Sequence, residues 1–199
     1  VSRRLIVVML GPVPWAPPGL SPDRWRAALA EDVVDRVATL NGVDAAVAAT
    51  TADRPLAEAI VWPGMRVYEV PAPRVGAVFA AAVADGYDHA AVVAGDAPDV
   101  PGLLLGKLLR PLTTRSVAVA PALGSGPGLL GVAARLPAPA WLPEVNLDTD
   151  AAGPLRRAAP RPAEVAITPG WRRIRAAADL ATLDPAVDGW DSTRALLGG

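Results

Sequence analysis

The chain has no cysteine among its 199 residues. Disulfides, thiol nucleophiles and thiolate metal sites are therefore excluded, and the composition is compatible with the cytoplasmic location expected for it. There is one histidine, His89, so no histidine-rich metal cluster can form and any His-dependent triad would have to use that residue. His89 opens a short apolar run, at the end away from the polar turn that follows, and a structural role is expected. A charge excess is also lacking: 19 Lys plus Arg face 20 Asp plus Glu, for a formal net charge of -1. Neither sign forms a long block, which argues against nucleic acid as the main partner. Apolar runs are short, and none approaches the roughly 20 residues that a membrane-spanning helix needs. The opening Val1-Ser-Arg-Arg-Leu-Ile-Val-Val-Met-Leu10 has a basic flank and an apolar centre. Gly11-Pro12-Val13-Pro14 follows at once, so a buried first strand is expected rather than a leader.

What is present is an ordinary globular composition, 52% hydrophobic and 20% charged, with enough length for one sizeable core. Leu5 to Leu10 is an uninterrupted apolar run, the pattern of a strand buried on both faces. Gly11 to Gly19 is too rich in proline for helix or sheet interior. Ser21-Pro22 is a good helix start, with Ser21 as N-cap and Pro22 at the first helical position. From there Trp25, Leu29, Val33, Val37 and Leu40 make a stripe at helical spacing. Val43–Ala49, a short helix over Ala52–Ile60, Arg66–Val70 and an Ala-rich helix over Val75–Ala84 continue the alternation. Strands alternating with helices predict a mostly parallel sheet with helices on both faces. Further strands are expected at Ser116–Pro121 and Leu129–Ala133, with an edge strand at Ala163–Ile167. Helices are expected near Asp150–Ala158 and Ala176–Leu183, and Asp191–Leu197 reads as a last amphipathic segment. No repeat or linker is evident, and a single domain over 1–199 is expected.

The stretch from His89 to Gly102 organises the rest. Ala90 to Ala94 reads as a buried strand, broken by Gly95-Asp96-Ala97-Pro98-Asp99. Leu103 to Leu112 reads as a helix, which Asp99 is placed to cap. In open α/β sheets, ligands bind just beyond the carboxyl ends of the strands. Two carboxylates there could hold a divalent cation against a phosphate-bearing ligand; equally, Asp96 and Asp99 could merely cap the turn and the helix.

Other features are weaker. The glycine loop 124–128 has neither the Gly-Lys-Ser/Thr ending of a Walker loop nor a helix to open, though its backbone amides could approach a ligand closely. Glu144, Asp148 and Asp150 read as a solvated acidic loop, with a base or second metal contact as the lesser reading. Arg172, Arg173 and Arg175 read as surface or as a phosphate clamp, a role suited to bidentate guanidinium. Trp15 could stack on a base or sugar, or simply pack.

Four places carry a family resemblance: Pro12-Val13-Pro14; Val93 to Asp99; Ala120-Pro121-Ala122 followed by Gly126-x-x-Leu129-Leu130-Gly131; and Trp171 with Asp179-Leu180. Over about residues 4–183 the chain resembles the nucleotide-diphospho-sugar transferases of the GT-A fold. Among these it is most similar to the small bacterial radical-SAM/selenodomain-associated, TagA-like transferases. The resemblance implies a three-layer, Rossmann-like α/β fold with a mostly parallel central sheet. It also implies a nucleotide-binding half over 1–112, and an acceptor-side half with C-terminal helices over 113–199. It further implies that Asp96 is the catalytic and metal-holding carboxylate, supported by Asp99, with Mg²⁺ or Mn²⁺ as cofactor. Leu10, Gly11, Pro12 and Gly95 would border the nucleotide, and Gly124, Ser125 and Gly126 the acceptor.

The motifs are eroded. Leu10 and Pro17 to Leu20 stand where the family carries basic residues for the phosphates, and Gly124 to Pro127 lacks the family's Asp. Arg173 and Arg175 stand at two acidic positions. Two arginines could replace the metal as counter-charge for a leaving diphosphate, which would make Arg173 and Arg175 nucleotide contacts and the binding metal-independent. The expectation is thus a glycosyl- or nucleotidyltransferase-like protein taking a nucleoside diphosphate or sugar nucleotide. The alternatives are an inactive homologue that binds a ligand, a protein partner or a second copy of itself, and a plain Rossmann-like binding domain.

Overall fold

The computed structural model describes residues 2–198. Its chain alternates as expected: β1 (Arg4–Met9), α1 (Pro22–Ala38), β2 (Asp44–Ala49), α2 (Arg54–Ile60), β3 (Arg66–Glu69), α3 (Val75–Ala84), β4 (His89–Ala94) and α4 (Gly102–Leu109). The second half continues with β5 (Val117–Leu123), β6 (Leu129–Arg135), α5 (Ala152–Ala158), β7 (Val165–Ile167), β8 (Trp171–Arg172), α6 (Ala177–Leu180) and α7 (Asp191–Leu196). The sheet order is β3-β2-β1-β4-β6-β5-β7, and β8 pairs with the far end of β5. Only β6 runs against its neighbours β4 and β5; the other pairings are parallel.

The strands carry little but small and β-branched apolar side chains because both faces are covered. Leu5, Val7 and Met9 point to one face and pack with Val75, Val78 and Phe79 of α3 and Leu155 of α5. Ile6 and Val8 point to the other, onto Val33, Val34 and Val37 of α1 and Leu105 and Leu108 of α4. This is the three-layer α/β arrangement with a mostly parallel sheet. A third, smaller cluster joins Trp25 and Leu29 of α1 to Ile174, with Val13, Trp15 and Leu180 against it. It ties the first loop and the start of α1 to the late chain.

The elements depart from expectation in four places. The helix expected over Leu103–Leu112 is α only to Leu109 and finishes as a 3-10 turn over Arg110–Thr113. Pro111 there has no N–H to give to the preceding turn. Asp99 does not cap that helix: its N-cap position is Pro101, with no side-chain cap bond. The helix expected over Ala176–Leu183 is shorter, Ala177–Leu180, and strand β8 was not expected at all.

Candidate functional site

β1 connects through α1 to β2 on one side, while β4 lies on its other side. The loops leaving β1 and β4 therefore diverge, and a crevice opens outside their carboxyl ends, the usual ligand position in such sheets. The crevice is lined by Leu10 to Val13, Arg26, Gly95, Asp96, Asn146 to Asp148 and Arg173, among others. Leu10 contributes backbone: its side chain is 2% exposed, in the core, and its N–H donates to the Ala48 carbonyl at 2.9 Å. The Gly11 carbonyl accepts from Arg26 Nε at 3.0 Å. Pro12 is exposed on the crevice wall. A side chain at Gly95 would place its Cβ 3.1 Å from the Met9 carbonyl oxygen, so glycine here lets the β4 turn lie against β1.

Asp96 comes two residues after the end of β4 and is 2% exposed. Its partner is Arg173, itself 3% exposed. Arg173 Nε donates to Asp96 Oδ1 at 2.5 Å and Nη2 to Asp96 Oδ2 at 2.9 Å. Nη2 also donates to Asp148 Oδ1 at 2.6 Å, and Nη1 to the carbonyls of Leu147 at 2.8 Å and Leu129 at 3.2 Å. Every N–H of the guanidinium is thus used. Burial pushes the Arg173 guanidinium down, but Asp96 and then Asp148 outweigh it and hold its pKa above the ordinary value. The backbone closes the same joint, with Ile174 N–H on the Asp96 carbonyl at 2.8 Å.

Asp99 is 1% exposed and is held by β8. Trp171 Nε1 donates to Oδ1 at 2.9 Å, and Arg172 donates to Oδ2 from Nε at 3.1 Å and Nη2 at 2.5 Å. Arg172 also lies over the Trp171 ring, 4.2 Å from its centroid. The expected pairing of Asp96 with Asp99 around a metal does not match this geometry, because each carboxylate is gripped by its own arginine. Among the described residues, no group of three or more His, Cys, Asp or Glu is placed to hold a metal ion. A divalent ion between Asp96 and Asp148 would have to evict a buried, fully bonded guanidinium. The residues present do not fit one.

Arg175, expected at a phosphate, clamps the glycine loop. Its Nη2 donates to the Ser125 carbonyl at 2.9 Å and Nη1 reaches the Asp148 carbonyl at 3.4 Å. Burial, and then Arg173, lower its pKa from the ordinary value. Asp179 holds the loop from the other side. It accepts from Ser125 N–H at 3.2 Å, Ser125 Oγ at 2.8 Å and the N–H groups of Arg175 and Ala176, both at 2.9 Å. Gly124 and Gly126 have φ of 98° and 83°, the left-handed region where glycine is favoured. The loop residues 124–126 therefore stand beside the Asp148 segment, tied to it through Arg175.

The acidic trio of the sequence separates. Asp148 enters the crevice, while Glu144 binds the Gly76 N–H of α3 at 3.0 Å and Asp150 binds the Asn146 N–H at 2.7 Å. Trp15 packs edge-on against Trp25, with centroids 6.3 Å apart. His89 sits at the opposite end of β4 from Asp96, near Ser2 Oγ. Sequence reading missed Arg26, whose Nη1 bonds Asp53 at 2.6 Å. That bond holds the Asp53 carboxyl below its ordinary range. A signal existed: Arg26 is a cation near the start of α1, where the helix dipole favours anions.

No family model matches the chain, and no curated relative matches it. Solved structures do. A putative nucleotide-diphospho-sugar transferase from Desulfovibrio desulfuricans G20 superposes with a TM-score of 0.68 at 19% identity, over 100% of this chain and 96% of that one. The 4-diphosphocytidyl-2C-methyl-D-erythritol synthase of Anaerococcus prevotii DSM 20548 gives 0.61 at 12% identity, over 98% and 96%. Glucosyl-3-phosphoglycerate synthase of Mycobacterium tuberculosis, solved with Mn²⁺, uridine diphosphate and phosphoglyceric acid, gives 0.56 at 16% identity, over 88% and 71%. The chain thus has the fold of the nucleotide-diphospho-sugar transferases. At these identities the likeness is one of fold.

Proposed function

We propose that the chain is a glycosyl- or nucleotidyltransferase-like protein that binds a nucleoside diphosphate or sugar nucleotide in the crevice between the β1 and β4 loops. The observation that carries this reading is the crevice itself. It lies at the switch point of a transferase fold, with the Leu10–Val13 backbone on one wall and the Asp96–Arg173–Asp148 joint on the floor. Leu10, Gly11, Pro12 and Gly95 would border the nucleotide. Arg26, at 20% side-chain exposure, is the cation in the lining that a phosphate can approach. Gly124, Ser125 and Gly126 would face the acceptor, as a loop held in shape by Arg175 and Asp179. If the protein transfers, positioning and charge neutralisation supply the catalysis, since displacement at an activated phosphate or anomeric carbon asks for no dedicated nucleophile. The similarity to TagA-like transferases, and residues 1–112 and 113–199 as halves of one domain, belong to the same proposal.

A second reading, ligand binding without transfer, is favoured by one feature: the Asp96 carboxylate is already fully committed to Arg173. A thermal-shift panel of nucleoside diphosphates and sugar nucleotides tests the first reading, because a ligand of the folded state raises the midpoint. One base should give a shift that Arg26→Ala abolishes and Arg156→Ala, on exposed α5 surface, does not. No shift with any member would overturn it. Turnover of the stabilising sugar nucleotide then separates transfer from binding alone.

A further inference from the structure

We propose that the Arg173 guanidinium is the resident cation of the crevice, so that Asp96 and Asp148 take up no divalent ion and ligand binding there requires none. The second half of this statement rests on the nucleotide reading; the first stands without it. Nη2 of Arg173 lies between the two carboxylates, 2.9 Å from Asp96 Oδ2 and 2.6 Å from Asp148 Oδ1. That is the place a bridging ion would take, and such an ion needs its oxygens at about 2.0–2.6 Å with no other cation among them. The remaining N–H groups go to Asp96 and to two backbone carbonyls, so the side chain has no free donor that would invite it to swing out.

Charge tells the same story. Two carboxylates and one guanidinium leave one negative charge, and Arg175 supplies the other positive one. It sits on the Asp148 carbonyl, and its buried Nε has no hydrogen-bond partner. Two guanidinia therefore carry between them the charge of one divalent ion. Guanidinium suits this exchange better than ammonium because its planar fork meets a carboxylate with two parallel bonds. Both arginines are fixed on the stretch after β8, whose pairing with Ala122 and Leu123 of β5 sets where they fall.

The test is a Mn²⁺ titration without nucleotide, followed by the electron paramagnetic resonance signal of free Mn²⁺, on the wild type, Arg173→Met and Arg173→Lys. The wild type and Arg173→Lys should leave the free-ion signal unchanged. Arg173→Met removes the cation and should gain a saturable site, with a dissociation constant on the order of 10⁻⁴ M for so few carboxylates. That site should vanish in Arg173→Met/Asp148→Asn. Wild-type uptake of Mn²⁺ that is lost in Asp96→Asn would overturn the proposal, as would an Arg173→Met protein that folds and gains nothing. If Arg173→Met does not fold, Arg173→Gln takes its place, since it keeps donors toward the carboxylates while removing the charge. The wild-type titration decides alone should neither fold. None of these outcomes depends on whether a nucleotide binds, so failure here and failure of the nucleotide reading are separable.

Discussion

Single carboxylates carry more of this protein than their number suggests. Asp32 of α1 is 2% exposed and accepts the N–H groups of Ser192 at 2.9 Å and Thr193 at 2.8 Å, holding the first turn of α7. Burial raises its pKa from 3.8 to about 6 despite those bonds. A carboxyl that holds its proton more tightly folded than unfolded makes stability fall as pH rises between the two values. The melting midpoint of the wild type should therefore decline from pH 3.8 to about 6 relative to Asp32→Asn, which does not titrate there; parallel curves would refute the assignment. Asp99→Ala strips the buried partner from Arg172, which remains 22% exposed. The loss in urea unfolding should be about 2–3 kcal/mol, below that for a fully buried pair.

At the scale of elements, β8 matters out of proportion to its two residues. It is pinned where Gly170 passes Pro121: a Cβ at Gly170 would run into the Pro121 carbonyl oxygen. Gly170→Ala should cost about 1–3 kcal/mol by chemical unfolding, as overpacking does. It should also weaken any ligand-induced stabilisation, because Arg172 and Arg173 move with the strand. A variant with normal ligand response would separate β8 from the crevice. This element also marks what the sequence could and could not disclose. Leu5 to Leu10 and the Trp25-Leu29-Val33-Val37 stripe announce themselves by run and period, so the first half was legible almost to the residue. Trp171-Arg172 has no period to read, and its strand exists only because β5 offers an edge. The carboxylates Asp96 and Asp99 were visible as a turn; that arginines would claim each of them was not. Arg173 and Asp96 lie 77 positions apart, and no local spacing encodes such a pairing.

Across the whole molecule, β6 is the seam. It pairs antiparallel with β4 on one side and β5 on the other, so the early βα units and the late chain share one continuous sheet. Urea transitions followed by tryptophan fluorescence and by far-ultraviolet circular dichroism should therefore coincide, as a single cooperative unit requires; separated midpoints would show two. The grip of Trp171, Arg172 and Arg173 on the turn after β4 adds a consequence in time. A chain emerging from the ribosome completes the turn 95–99 long before the residues that neutralise it exist. Until the 170s are made, Asp96 and Asp99 have no guanidinium to be buried with, and the floor of the crevice must stay open to water. The first half can assemble its strands and helices as it is synthesised, but the pocket is finished only once Trp171 to Arg173 have followed.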